Sequence, residues 1–142
     1  MESKVNFKEL MKDTKLDELL FGLNDAARLI HANNVEKGFW DEPKNVGELL
    51  MLVTSELGEA MEAHRKNKFA DVVKFNEFTE EGQEEFEPNF KRYIKDTFED
   101  EIADAIIRLL DLSAGLGIDI ASHILHKVKY NTTRPRLHGK LY

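Results

Sequence analysis

The chain has 142 residues, a length that suits one domain, and its 42% hydrophobic and 33% charged residues exclude wholesale disorder. Its 20 cationic and 27 acidic side chains give a net charge of −7, which excludes a general nucleic-acid coat. Cysteine is absent, so disulfides, thiolate nucleophiles and zinc–thiolate sites are excluded together.

The start, MESKVNFKELMK, alternates charged and apolar residues, and no stretch approaches ~20 apolar residues. Neither an export signal nor a membrane span is expected, and the expected location is cytoplasmic. Within residues 1–14, Val5, Phe7, Leu10 and Met11 suit a short docking helix. Leu16, Leu19, Leu20, Leu23, Ala27 and Ile30 then recur at three- and four-residue steps, which predicts an amphipathic helix to about Asn34. A link from Glu36 to Lys44 carries Gly38, Phe39, Trp40 and Pro43.

Asn45 reads as an N-cap, with Glu48 as the return arm of a capping box. The helix it opens is expected to reach about Lys66, with Leu49, Leu52, Val53, Leu57 and Ala60 on its buried side. Residues 67–89 are polar and acidic and include Glu80-Glu81-Gly82-Gln83-Glu84-Glu85. They read as an insertion or long loop with room for a short helix; Phe75, Phe78, Phe86 and Phe90 imply that it packs on something. A third long helix is predicted from about Tyr93 to Ala114, stopped by Gly115 and Gly117. Asp119 caps a last helix through about Thr133, and Pro135 closes it. No strand pattern persists, so the expected fold is all-α: one domain over residues 1–142, a bundle of four long helices with an acidic insertion between the second and third. From Ile120 onward there is no acid, whereas Lys127, Lys129, Arg134, Arg136 and Lys140 are all basic, so residues 134–142 form a basic tail on an acidic body.

Glu56 stands where an apolar residue belongs. Leu49, Leu52, Val53, Ala60 and Ala63 surround it on the helical face. An unpaired carboxylate there costs at least several kcal/mol. Glu59 follows three residues later. Glu101 repeats the arrangement among Ile94, Phe98 and Ala105, with Asp104 three residues on. If the two helices run antiparallel, four carboxylates converge and repel. A divalent cation resolves that repulsion. Oxygen-only ligands point to Mg²⁺, with Mn²⁺ or Ca²⁺ as lesser options. Magnesium shares its shell with substrate phosphates, and Lys127, Asn131 and Arg134, stepping along the last helix, offer an ammonium, an amide and a guanidinium to grip them. A di-iron bundle would need Glu-x-x-His motifs, and no acid stands three residues before any of the five histidines.

The elements ELGE (Glu56 to Glu59) and DEIADAIIRLLDL (Asp100 to Leu112) resemble the E-x-x-E … E-x-x-D signature of the MazG-like all-α nucleoside triphosphate pyrophosphohydrolases. The resemblance extends over about residues 16 to 136, through LGIDI (Leu116 to Ile120) to Lys127, Asn131 and Arg134. It implies a helical homodimer or homotetramer that splits a nucleoside or deoxynucleoside triphosphate into the monophosphate and pyrophosphate. By the match, Glu56, Glu59, Glu101 and Asp104 hold Mg²⁺ (or Mn²⁺) and Lys127, Asn131 and Arg134 bind phosphate. Some relatives carry an extra Glu just before the first motif acid; here Ser55 stands there. The general base is then a metal-bound hydroxide or one of the four carboxylates. Trp40 is placed to stack on a nucleobase or to cover the core, and His31, on the helix before it, is a weaker pocket candidate or a satisfied surface or core histidine. His138-Gly139-Lys140 either folds over phosphates or frays. Two rival expectations remain: a non-catalytic nucleotide-binding module, and a helical interaction protein whose acids pair with a partner's cations.

Overall fold

The computed structural model describes residues 15–79 and 85–139, so the expected docking helix within residues 1–14, most of the acidic run and Lys140 lie outside the described residues. Every described element is helical: α1 (Lys15–Glu36), α2 (Val46–Arg65), α3 (Val72–Phe78), α4 (Phe86–Tyr93), α5 (Phe98–Gly115) and α6 (Ile120–Thr132), followed by a 3₁₀ turn at Arg136–Gly139. No helix among the described residues is long and apolar enough to cross a membrane.

Local chemistry sets the helix boundaries. Gly38, at φ 80°, turns the chain out of α1. Asn45 Oδ1 accepts from the amides of Gly47 (2.8 Å) and Glu48 (3.4 Å) and opens α2 as expected. The return bond expected from Glu48 is not formed. Asp119 Oδ1 accepts from the Ser122 amide (3.1 Å) and opens α6. The third long helix starts at Phe98 rather than near Tyr93. Asp96 turns left-handed at φ 57°, and Thr97 Oγ1 accepts from the Asp100 amide, so a new N-cap divides the expected helix. Gly117, at φ 66°, ends α5, whereas Gly115 belongs to its last turn.

The expected insertion is a pair of short helices, α3 and α4, packed on each other. Its phenylalanines pack among themselves: Phe75 meets Phe86 and Phe90 edge-on, and Phe78 stacks on Tyr93. Both ends of this excursion are tied. The Asp71 amide donates to the Tyr93 carbonyl (3.0 Å) and the Phe98 amide to that of Lys68 (2.9 Å).

The Lys68–Phe98 tie sets the end of α2 beside the start of α5, so the two acid-bearing helices run antiparallel. Helix α1 packs on α5, and α6 packs on α1. Asn24 of α1 fixes the last contact. Its Nδ2 donates to Asp119 Oδ1 (2.7 Å) and its Oδ1 accepts from the Ala121 amide (3.1 Å). Small side chains make most of the core: Ala27, Ala60, Ala63, Ala105 and Ala121, with Val53, Leu110 and Leu112. Alanine at the crossings lets helix axes approach closely. Leu52 and Leu57, expected on the buried side of α2, are exposed, as are Ile106 and Leu109 of α5. The antiparallel partner covers only the stripe Val53, Glu56, Ala60 and Ala63, so the rest of each wide apolar arc faces outward.

Candidate functional site

Antiparallel packing brings Glu56 of α2 against Glu101 and Asp104 of α5. One carboxylate oxygen from each lies within 4.8 Å of the other two. Glu56 and Glu101 are buried at 7% and 5% exposure, and Asp104 is exposed. Glu59, the fourth acid of the sequence pattern, is exposed beside this triad rather than in it, and its Oε1 accepts from Ser55 Oγ (3.4 Å).

The acids act on one another. Burial, first, and then the charges and contact of Glu59, Glu56 and Asp104 push the Glu101 carboxyl up to about 7. Asp104, though exposed overall, is raised by partial desolvation of its carboxyl and by the charges of Asp100, Glu56 and Glu59, while Arg108 pulls it the other way. Placement in the first turns of α5 partly offsets this cost, since the amide dipoles there favour negative charge.

Arg108 supplies the compensating cation that the position of Glu56 demands. Its Nε donates to Glu56 Oε1 at 2.6 Å, and Nη2 lies 2.6 Å from the same oxygen. The sequence offered no sign of this partner, which lies 52 positions away on an exposed-looking turn of α5.

Beyond Asp104 and Arg108 opens a cleft of about 280 Å³, walled by Trp40, Phe39, Asn34, Lys44, Leu49, Leu52 and Asp111. Asp111 organises its far side. It accepts from His31 Nδ1 (2.7 Å), Asn34 Nδ2 (2.8 Å) and Trp40 Nε1 (3.1 Å to each oxygen). Two turns of α1, the following link and α5 thus share one carboxylate, with the His31 ring edge-on to Trp40 at 4.7 Å. His31 and Trp40 are both fixed by polar contacts to Asp111, and Trp40 also lines the cleft. A hydrogen-bonded Asp at position 111 was not anticipated; its spacing of seven residues from Asp104, along one side of α5, was the available signal.

Lys127, Asn131 and Arg134 are not among the residues lining this cleft. They stand on and just after α6, which packs on α1. Lys127 and Arg134 lie over the Tyr130 ring, and Arg134 Nη1 meets His138 Nδ1 at 2.8 Å. The cations at the acids and cleft are instead Arg108 and Lys44.

Three carboxylates at this spacing, two of them buried and mutually repelling, form a donor set of oxygens alone, which suits a hard divalent cation. Comparison with family models, curated proteins and solved structures finds no match for this chain.

Proposed function

We propose that the protein is a Mg²⁺-dependent nucleoside triphosphate pyrophosphohydrolase that works as a four-helix bundle in a homo-oligomer. The observation that carries this reading is the convergence of Glu56, Glu101 and Asp104 at the edge of a cleft that also holds Arg108, Lys44 and an anchored indole. The resemblance of ELGE and DEIADAIIRLLDL to the MazG-like signature, which runs through the same acids, supports it.

Glu56, Glu101 and Asp104, with Glu59 alongside, would hold Mg²⁺ or Mn²⁺, which when bound neutralises phosphate charge and acidifies water. Arg108 and Lys44 hold the phosphate oxygens at the cleft mouth. Trp40 offers its face to the base, and Asp111 keeps that face in place. In the reaction, a water oxygen bonds to one phosphorus of the α–β anhydride. The bridging oxygen departs with the other phosphorus, and the water's proton passes to a carboxylate. The products are the monophosphate and pyrophosphate.

A panel of ribo- and deoxynucleoside triphosphates with Mg²⁺, followed by pyrophosphate release, tests this directly. Turnover on at least one, abolished in Glu56→Ala and Glu101→Ala, is the expected outcome. Nucleotides that raise the melting temperature without releasing pyrophosphate would replace this reading with a binding module. No shift and no product would leave a helical interaction protein.

A further inference from the structure

Arg108 spends both of its near nitrogens on a single oxygen of Glu56, at 2.6 Å each. A guanidinium serving only as a permanent tie would be expected to grip both carboxylate oxygens side by side from a buried position. The Arg108 side chain is 41% exposed and lines the cleft, whereas the Glu56 side chain is buried. The pair is thus asymmetric: Glu56 needs a cation, and Arg108 has somewhere else to go.

We propose that Arg108 is an exchangeable counter-ion. It neutralises Glu56 until a divalent cation settles among Glu56, Glu101 and Asp104, and it then turns into the cleft to grip the anionic end of a polyphosphate ligand. The proposal rests on the metal-and-nucleotide reading and adds an order of events to it. Two charges drive the exchange. A divalent ion held by Glu56 repels the guanidinium, and an oligophosphate beside Lys44 attracts it. Asp104 stands one turn before Arg108 on the same side of α5, and the two charges act on each other in the metal-free site. Cation and anion therefore bind with positive coupling: each makes the other's position for Arg108 less contested.

The exchange can be watched without turnover. In the ¹⁵N-labelled full chain, the Arg108 Nε–Hε resonance is assigned by its loss in Arg108→Lys. It is expected to shift when Mg²⁺ is added and to shift again with inorganic tripolyphosphate. Calorimetry supplies the second arm. Mn²⁺ alone should bind Arg108→Gln about fivefold tighter than wild type, the scale of one partly exposed ion pair. Tripolyphosphate at saturating Mn²⁺ should bind Arg108→Gln about tenfold more weakly, the scale of a lost charge-assisted bond. Arg108→Lys, which keeps the charge and loses the fork, should fall between in both titrations and carries the comparison if Arg108→Gln does not fold. A resonance that stays put on Mg²⁺ addition, or Mn²⁺ binding that weakens in Arg108→Gln, overturns the exchange while leaving the metal reading intact. Wild type that binds no Mn²⁺ overturns both.

Discussion

Glu101 keeps its proton up to about pH 7, whereas an unfolded chain would release it near 4.5. Between those values the folded molecule carries a proton that the unfolded one has lost. Stability from this group is therefore fully present below about 4.5 and falls as pH rises through 7. The full loss is on the order of a few kcal/mol. Wild type should need less urea to unfold at pH 8 than at pH 5, and Glu101→Gln should flatten that slope. Added Mg²⁺ should restore wild type at pH 8. An unchanged slope in Glu101→Gln would reject Glu101 as the source. At this scale the sequence was half legible. An acid inside an apolar stripe is visible on a helical wheel, so Glu56 and Glu101 stood out. Arg108 and Asp111 did not, because what distinguishes them is a partner 52 to 80 positions distant, which periodicity cannot encode.

Elements meet tightly where the end of α5 touches the link between α1 and α2. A Cβ at residue 115 would fall 2.4 Å from Trp40 Cη2, so only glycine admits the ring at its present depth. Gly115→Ala should destabilise the protein by about 1–3 kcal/mol through overpacking. It should also shift the emission of the sole tryptophan to the red as Nε1 leaves Asp111. Thermal melting together with fluorescence checks both, and an unmoved spectrum would refute the steric argument. Helix starts at Asn45 and Asp119 could be read ahead because a cap acts within three residues. The break at Asp96 and Thr97 was masked by apolar residues that continue at helical spacing across it, from Ile94 to Phe98. The helices of the excursion were hidden for another reason: they are short, and their phenylalanines, none of them buried, pack chiefly on one another.

The molecule as a whole turns much apolar surface outward. Leu50, Leu57 and Met61 share one side of α2, with Leu57 at 50% and Met61 at 53% exposure; Ile106 and Leu109 share a side of α5 and are exposed too. Exposed apolar stripes of this kind suit a protein–protein contact, and a second copy of the chain is the proposed cover. Light scattering at micromolar concentration should give a dimer or tetramer, and Leu57→Lys should release monomer with its helices retained. A monomeric wild type would sink the proposal. The tied base of the excursion has a different consequence. The Phe98–Lys68 bond and that from the Ala70 amide to Glu99 Oε2 both lie below α3 and α4, so the acid-bearing helices are clamped together without them. Residues between these clamps form a cassette: evolution, or an engineer, can shorten, lengthen or exchange it while the two acid-bearing helices keep their register.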